Sequence, residues 1–233
     1  MAKMVFLGTK GEIAEAPHGH QYHSSLMVDA GGFRLVIDYG EIRRYSLEEL
    51  APAALLVTHA HPDHYAWLQE DIGTEAPVYL TRETLEYGRY RPRNVSVIEP
   101  GTPFDLGPVQ TCAYRVLHSI RCPAVGYRLR VDDRTLVYNP DLVDIVDKDR
   151  VLDGVDYYVG DGSSVKKNLV RRRGDTLFGH TRIPTQVHWC EKHGIRNIYF
   201  THLGSDTLQK EAKFEEEYAN AVLARDGMAV EIT

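Results

Sequence analysis

The chain has 233 residues, of which 43% are hydrophobic and 26% charged, with a net charge of −6. That balance belongs to a folded globular protein and excludes a disordered chain, a collagen or a coiled coil. The negative charge excludes a general polyanion binder, so any nucleic-acid contact must use a local basic patch.

In chain order, β-type patterning predicts strands at 4–7, 25–29 and 34–37, with Gly31-Gly32 as the hairpin turn between the last two. A helix follows at 46–50, where Ser46 and Glu49 have capping-box spacing. Next come a strand at 55–58, a helix at 63–69, a strand at 78–80 and a helix at 82–87. The second half repeats this texture with strands at 95–98, 110–117, 126–131 and 135–138, the last two joined through Asp132-Asp133. A short strand at 157–159, a helix at 184–192 and a strand at 197–200 come after them. Leu208, Ala212, Phe214, Ala219, Val222 and Leu223 form a loose helical stripe, which predicts a helix over 206–224. A strand at 228–232 follows the turn Asp226-Gly227. Two runs of strands interleaved with helices predict an α/β protein with two sheets face to face and helices on their outer faces. No composition break divides the chain, so one domain over 1–233 is expected.

No apolar run approaches the ~20 residues needed to cross a bilayer, so no membrane partner is expected. The opening segment turns polar too soon to hold the apolar region of a signal peptide. Cys112, Cys122 and Cys190 are odd in number and lack CxxC spacing, which suits a reducing compartment. A cytoplasmic protein is expected.

The densest chemical signal is Thr58-His59-Ala60-His61-Pro62-Asp63-His64, directly after an apolar strand. Residues two apart in an extended segment point the same way, so His59 and His61 can present their rings to one ion. The turn at Pro62 lets Asp63 and His64 reach a second ion nearby. Imidazole and carboxylate suit zinc, and also manganese or iron.

This HxHxDH pattern resembles the metallo-β-lactamase superfamily. The resemblance spans nearly the whole chain, because His118, Asp141 and His202 follow in order, each just past a predicted strand. It implies a four-layer αβ/βα sandwich of two mixed β-sheets flanked by helices, carrying two divalent metal ions. His59, His61 and His118 would hold one ion, and Asp63, His64 and His202 the other, with Asp141 between them. Two ions ~3.5–4 Å apart need such a bridging carboxylate and a bridging hydroxide, and the hydroxide would serve as nucleophile. Asp63 would also contact that hydroxide. Around the bridging aspartate the chain reads Asn139-Pro140-Asp141-Leu142 rather than the commoner Gly-Asp-Thr, so the contacts behind this ligand should differ.

Several segments are similar to the ribonuclease Z-like and cyclic phosphodiesterase branch: Phe6-Leu7-Gly8-Thr9, His23-Ser24-Ser25, Ile37-Asp38-Tyr39-Gly40-Glu41, Gly179-His180-Thr181 and Ala224-Arg225-Asp226-Gly227-Met228. The branch implies a phosphodiesterase acting on a small-molecule or nucleic-acid phosphodiester, with homodimers common. In it His180 would stabilise charge on phosphorus or protonate the departing oxygen, and Asp161 would orient His180. A thioester or lactone hydrolase on the same ions is the competing enzymatic reading. An idle metal-bound binding or sensor protein has no need of the full ligand set.

Three histidines lie in the loop after the first strand. His18, His20 and His23 either touch substrate or, for His18 and His20, stay solvated. His188 and His193 read as surface or interface residues. Lys166–Arg173 is a basic cluster that either binds phosphate or is a solvated face. Neither 163–178 nor 71–93 has the length of the glycine- and proline-rich arm with which ribonuclease Z grips transfer RNA.

Overall fold

The computed structural model describes residues 1–233. The first half supplies β1 (Ala2–Gly8), β2 (Ser25–Ala30), β3 (Phe33–Ile37), α1 (Leu47–Leu50), β4 (Ala54–Leu56), β5 (Val78–Leu80), α2 (Arg82–Tyr87) and β6 (Val95–Val97). The next stretch adds β7 (Pro103–Leu106), β8 (Val109–Leu117), β9 (Ala124–Val131), β10 (Arg134–Tyr138), β11 (Asp144–Ile145), α3 (Lys148–Leu152) and β12 (Tyr157–Asp161). Then come β13 (Arg171–Arg173), β14 (Thr176–Phe178), α4 (Ile183–Lys192), β15 (Asn197–Thr201), α5 (Ser205–Leu208), α6 (Glu211–Glu217), β16 (Ala221–Leu223) and β17 (Ala229–Ile232).

The two large sheets are built alike. One has the order β17-β1-β2-β3-β4-β5-β6, and the other β11-β8-β9-β10-β12-β15-β16 with β7 also on β8. In each, the strands joined by short turns pair antiparallel, as β2 with β3 and β9 with β10. The strands joined by longer crossovers pair parallel, as β3 with β4 and β10 with β12. Both sheets are therefore mixed, as the resemblance implies.

Side-chain alternation sorts the apolar residues into three layers. Met4, Phe6, Leu26, Leu35, Leu56, Tyr127, Leu129, Leu136 and Val159 fill the space between the sheets. Val36, Leu55, Val57 and Val78 point the other way and pack with Leu47, Leu50 and Trp67. Val137, Tyr158, Ile198 and Phe200 do the same on the second sheet, under Val151, Ile183, Cys190 and Phe214 of α3, α4 and α6. Alternating side chains that are buried on both faces require a cover on each side, which gives the four-layer αβ/βα sandwich. Ser46 caps α1 with the reciprocal Glu49 contact that the spacing predicts.

Two predicted helices are corrected. Over 63–69 the chain forms a turn, with His64 N–H and Tyr65 N–H both donating to His61 O, and then a single 3₁₀ turn at Ala66–Leu68. Tyr65 is extended and bridges to Tyr39, which stops a helix from starting at Asp63. Over 206–224 helix survives only in α5 and α6, and Ala221–Leu223 is instead a parallel strand beside β15. Ala221 and Leu223 are buried with Val222 less so, a period of two that the helical reading of the stripe overlooked. Strands β7 and β11, the helix α3 and the hairpin β13–β14 fall outside the predicted elements.

Candidate metal centre

The predicted metal ligands, and Asp161 with them, all lie at one end of the sandwich. His118 follows β8, Asp141 follows β10, Asp161 ends β12 and His202 follows β15. The segment from His59 to His64 follows β4 on the opposite sheet. Parallel strands ending together bring residues far apart in sequence to one rim. The loop after β1 ties the sheets there: Lys10 bridges to both His23 and Leu203. Ser24 Oγ accepts from the His202 N–H at 2.7 Å. His202 and Asp38 have left-handed backbones, at φ 53° and 64°, a strain that persists only where surroundings impose it. At Gly40 an added Cβ would stand 2.1 Å from Asp63 O, so only glycine allows the metal loop to pack this closely.

One half of the centre is made of imidazoles. His59 Nε2 and His61 Nδ1 are 2.9 Å apart, and His118 Nε2 is 3.3 Å from His61 Nδ1. The outer nitrogens fix the tautomers. The Thr58 hydroxyl donates to Asp38, so His59 Nδ1–H donates to Thr58 Oγ1, at 3.0 Å. His118 Nδ1–H donates to Gly179 O at 3.2 Å. Both Nε2 lone pairs therefore face inward, and one proton on His61 cannot satisfy both; a cation can. Burial lowers all three rings: His59 falls well below the usual imidazole range, His61 falls, and His118 is pushed down to about 4. They are neutral at pH 7, the form that ligates metal.

The other half is rich in carboxylates. Asp63 Oδ2 lies 3.1 Å from His64 Nε2 and 3.0 Å from His202 Nε2. His64 Nδ1–H donates to the buried Asp38 at 2.9 Å, turning Nε2 toward the centre. Burial disfavours charge on both rings, but the surrounding carboxylates win. His64 is held well above its usual range by Asp63, Asp38 and Asp141, and His202 is raised to about 10 by Asp141 and Asp63.

Asp141 stands between the halves. Its Oδ2 is 3.3 Å from His59 Nε2 and 3.1 Å from His64 Nε2, while its Oδ1 is 2.8 Å from His202 Nδ1. Yet buried Asp141 Oδ1 and His64 Nε2 make no aligned hydrogen bond. Orphaned polar atoms amid converging N and O donors fit a pair of divalent ions. Two donor groups are spaced for one ion each, His59-His61-His118-Asp141 and Asp63-His64-Asp141-His202. A third, Asp141-Asp161-His180-His202, shares two members with the second and is not an independent site.

His180 lies beside this centre. Its Nδ1 is 2.8 Å from Asp161 Oδ2 and 3.1 Å from Ser163 Oγ. Asp161 is fully buried and is itself fixed by the backbone N–H groups of Leu142 and Ser163. Burial works against charge on His180, but Asp161 raises it above the usual imidazole range. His180, His202, Ser163 and Lys167 line a cleft of about 300 Å³.

Sequence reasoning missed the supports of this centre. Asp38 accepts from the Thr58 N–H, the Thr58 hydroxyl and His64. Cys122 Sγ accepts the Ala60 N–H at 3.0 Å. Ser163 Oγ joins His180 to His202. Asp38 was read only as part of Ile37-Asp38-Tyr39-Gly40-Glu41, a segment similar to the ribonuclease Z-like branch, with no role given to it. His20 is corrected: it is buried rather than solvated, with Nδ1 on Thr9 Oγ1 and Nε2 on Glu211. His18 is exposed and His23 is buried against the Ile42 N–H. His188 is exposed, and His193 contacts Asp149 at the surface. No helix is long and apolar enough to cross a membrane.

Residues 13–203 match the family described as the beta-lactamase superfamily domain. No match is found among curated proteins. Solved structures match over the full length. Zn(2+)-bound PqqB from Methylobacterium extorquens is 14% identical with a TM-score of 0.74, covering 99% of this chain and 100% of that one. A diphosphatase from the PhnP family is 19% identical with a TM-score of 0.71, covering 100% and 98%. Human tRNase Z, short form, is 16% identical with a TM-score of 0.67, covering 99% of each.

Proposed function

The chain belongs to the beta-lactamase superfamily, and from that premise we propose that it is a metal-dependent phosphodiesterase cleaving a nucleotide or nucleic-acid phosphodiester. The observation that carries this reading is His180, buttressed by buried Asp161 at the edge of a donor set that is complete without it. The names of two similarly folded proteins, a diphosphatase and a tRNase, point the same way.

His59, His61 and His118 would hold one divalent ion and Asp63, His64 and His202 a second, with Asp141 shared. Zinc fits these donors first, and manganese or iron also fit. When bound, such ions supply Lewis-acid stabilisation of a phosphoryl group and a water acidic enough to ionise near pH 7. The chain's own residues do the rest. Asp63 faces the carboxylate half and positions an attacking oxygen. Asp161 accepts the His180 Nδ1–H and so leaves Nε2–H free for the cleft. From there His180 donates a proton to the departing alkoxide, the group that a phosphodiester must expel and a thioester need not.

The test has two parts. The purified, metal-loaded protein should turn over bis(p-nitrophenyl) phosphate in preference to a thioester or a lactone. His180→Ala should keep both metals and lose ~10²–10⁴-fold in rate on a nucleotide phosphodiester. It should lose less on the nitrophenyl ester, whose leaving group needs no proton. Equal losses on both contradict the acid role, and lost metal makes His180 a ligand.

A further inference from the structure

On the outer face of the second sheet, β8, β9, α3 and the turn before β7 enclose a cavity of about 460 Å³. Its lining shares no residue with the cleft beside His180. We propose that it is a second binding site, for a small organic carboxylate with an apolar body. The inference goes beyond the phosphodiesterase reading and does not depend on it.

Charge is the first observation. Arg128 stands on β9 directly opposite Cys112 of β8, on the same face of the sheet. It is half-buried, its Nη1 donates to Val151 O at 2.5 Å, and no carboxylate pairs with it. The other charges around the cavity have partners. Arg115 is drawn to Glu83 at 3.5 Å, and Arg150 lies 3.8 Å from Asp147, the one acid of the lining. Asp149, also on α3, is engaged by Lys192 and His193. One guanidinium is left unmatched. A half-buried charge without a counter-charge is destabilising, and a bound anion relieves it. Burial raises the Cys112 thiol above its usual range, opposed by the Gly101 backbone and by Arg150 and Arg128, so both arginines stand near the thiol.

Shape is the second. At Gly126, paired with Tyr114, an added Cβ would stand 2.5 Å from Tyr114 Cζ, so only glycine lets the tyrosine ring lie across β9. The Tyr114 hydroxyl donates to Asn139 Oδ1 at 2.5 Å, which fixes the ring where it lines the cavity. Val151 is buried beside it, and Pro103 and Val146 add exposed apolar surface to the wall. A preformed cavity of this size, with apolar walls and one orienting charge, has the form of a small-molecule site.

Chemistry chooses the head group. One unmatched guanidinium calls for one negative charge, and a carboxylate supplies it while meeting the planar fork with two oxygens. A phosphate monoester brings close to two charges at pH 7 and would leave one of them unmatched. The apolar walls take the body of the ligand.

The experiment uses the full chain and a reporter already in the wall. Cys112 is half-buried, whereas Cys122 and Cys190 are buried, and all three thiols are free. The rate of Cys112 alkylation by N-ethylmaleimide, followed by peptide mass spectrometry, is compared with and without octanoate as probe. Octanoate should protect Cys112, and octanol, the same body without the charge, should need at least ~tenfold more to protect equally, the order of a charge-assisted contact. In R128M, which keeps an apolar side chain and loses the charge, octanoate should protect at least ~tenfold less tightly, and R128K should fall between. Thermal denaturation checks that the variants fold, and the octanoate–octanol comparison in wild type stands whether or not they do. R128M should turn over bis(p-nitrophenyl) phosphate like wild type. Absence of protection, equal protection by octanol, or protection unchanged in R128M would overturn the site. Tighter protection by octyl phosphate than by octanoate would overturn the carboxylate assignment. Loss of turnover in a folded R128M would overturn the separation from the metal centre.

Discussion

The two halves of the metal centre share Asp141 but are opposites electrically. In the histidine half, burial lowers His59, His61 and His118, and the rings stand neutral and ready for an ion. In the carboxylate half, the same burial is overcome by Asp63, Asp38 and Asp141, and His64 and His202 hold protons that an ion must displace. Identical side chains thus take different protonation states because of which strand ends face them. An ion entering the first half meets only its desolvation and the ring geometry. An ion entering the second competes with protons, and its affinity is tied to pH.

The largest break in this comparison should come from the residue both halves share. Asp141→Ala should cut metal content below one ion per chain, by elemental analysis after gel filtration. It should cost on the order of 10³-fold or more in turnover, the equivalent of several kcal/mol of lost charge stabilisation at 1.36 kcal/mol per tenfold. Retention of two ions would mean that the halves are independent. Asp63→Ala sharpens the contrast, since Asp63 contacts His64 and His202 and none of the three-histidine set. It should abolish turnover on bis(p-nitrophenyl) phosphate and leave one tight ion and one weak or missing ion. Equal weakening of both, or wild-type turnover, would contradict the assignment. Asp38→Asn is expected to be the mildest. Asp38 orients His64 directly and His59 only through Thr58, so loss of this contact should weaken the second ion by ~10–100-fold and the first by less. A competitive chelator titration reads both.

How much of this was legible in the sequence depends on how local the signal is. The segment from His59 to His64 packs four donors into six residues after an apolar strand, so spacing alone announces a metal site. His118, Asp141 and His202 were found by their order within a resemblance, and the strand ends carry them to the same rim. Ser163 and Cys122 gave no sign of a role, and Asp38 stood only within a branch-like segment, because each is a common residue type whose role exists only once separate strands meet. The stripe from Leu208 to Leu223 misled because Ala219, Val222 and Leu223 satisfy a helical period, whereas the open parallel slot beside β15 decides for a strand. His20 misled for the converse reason. A polar loop looks solvated until Thr9 and Glu211, one near each end of the chain, close over it.

The central claim is that one carboxylate joins two unlike half-sites, each taking an ion. Calorimetric titration of the metal-stripped chain with zinc, repeated in buffers of different ionisation enthalpy, tests it most directly. The account predicts two ions per chain and net proton release at pH 7. Affinity for one ion should rise with pH, because His202, near 10 without metal, must lose its proton first. Affinity for the other should be nearly flat around pH 7 and above, where burial already keeps His59, His61 and His118 neutral. One ion per chain, or two bound with the same pH dependence, would contradict it.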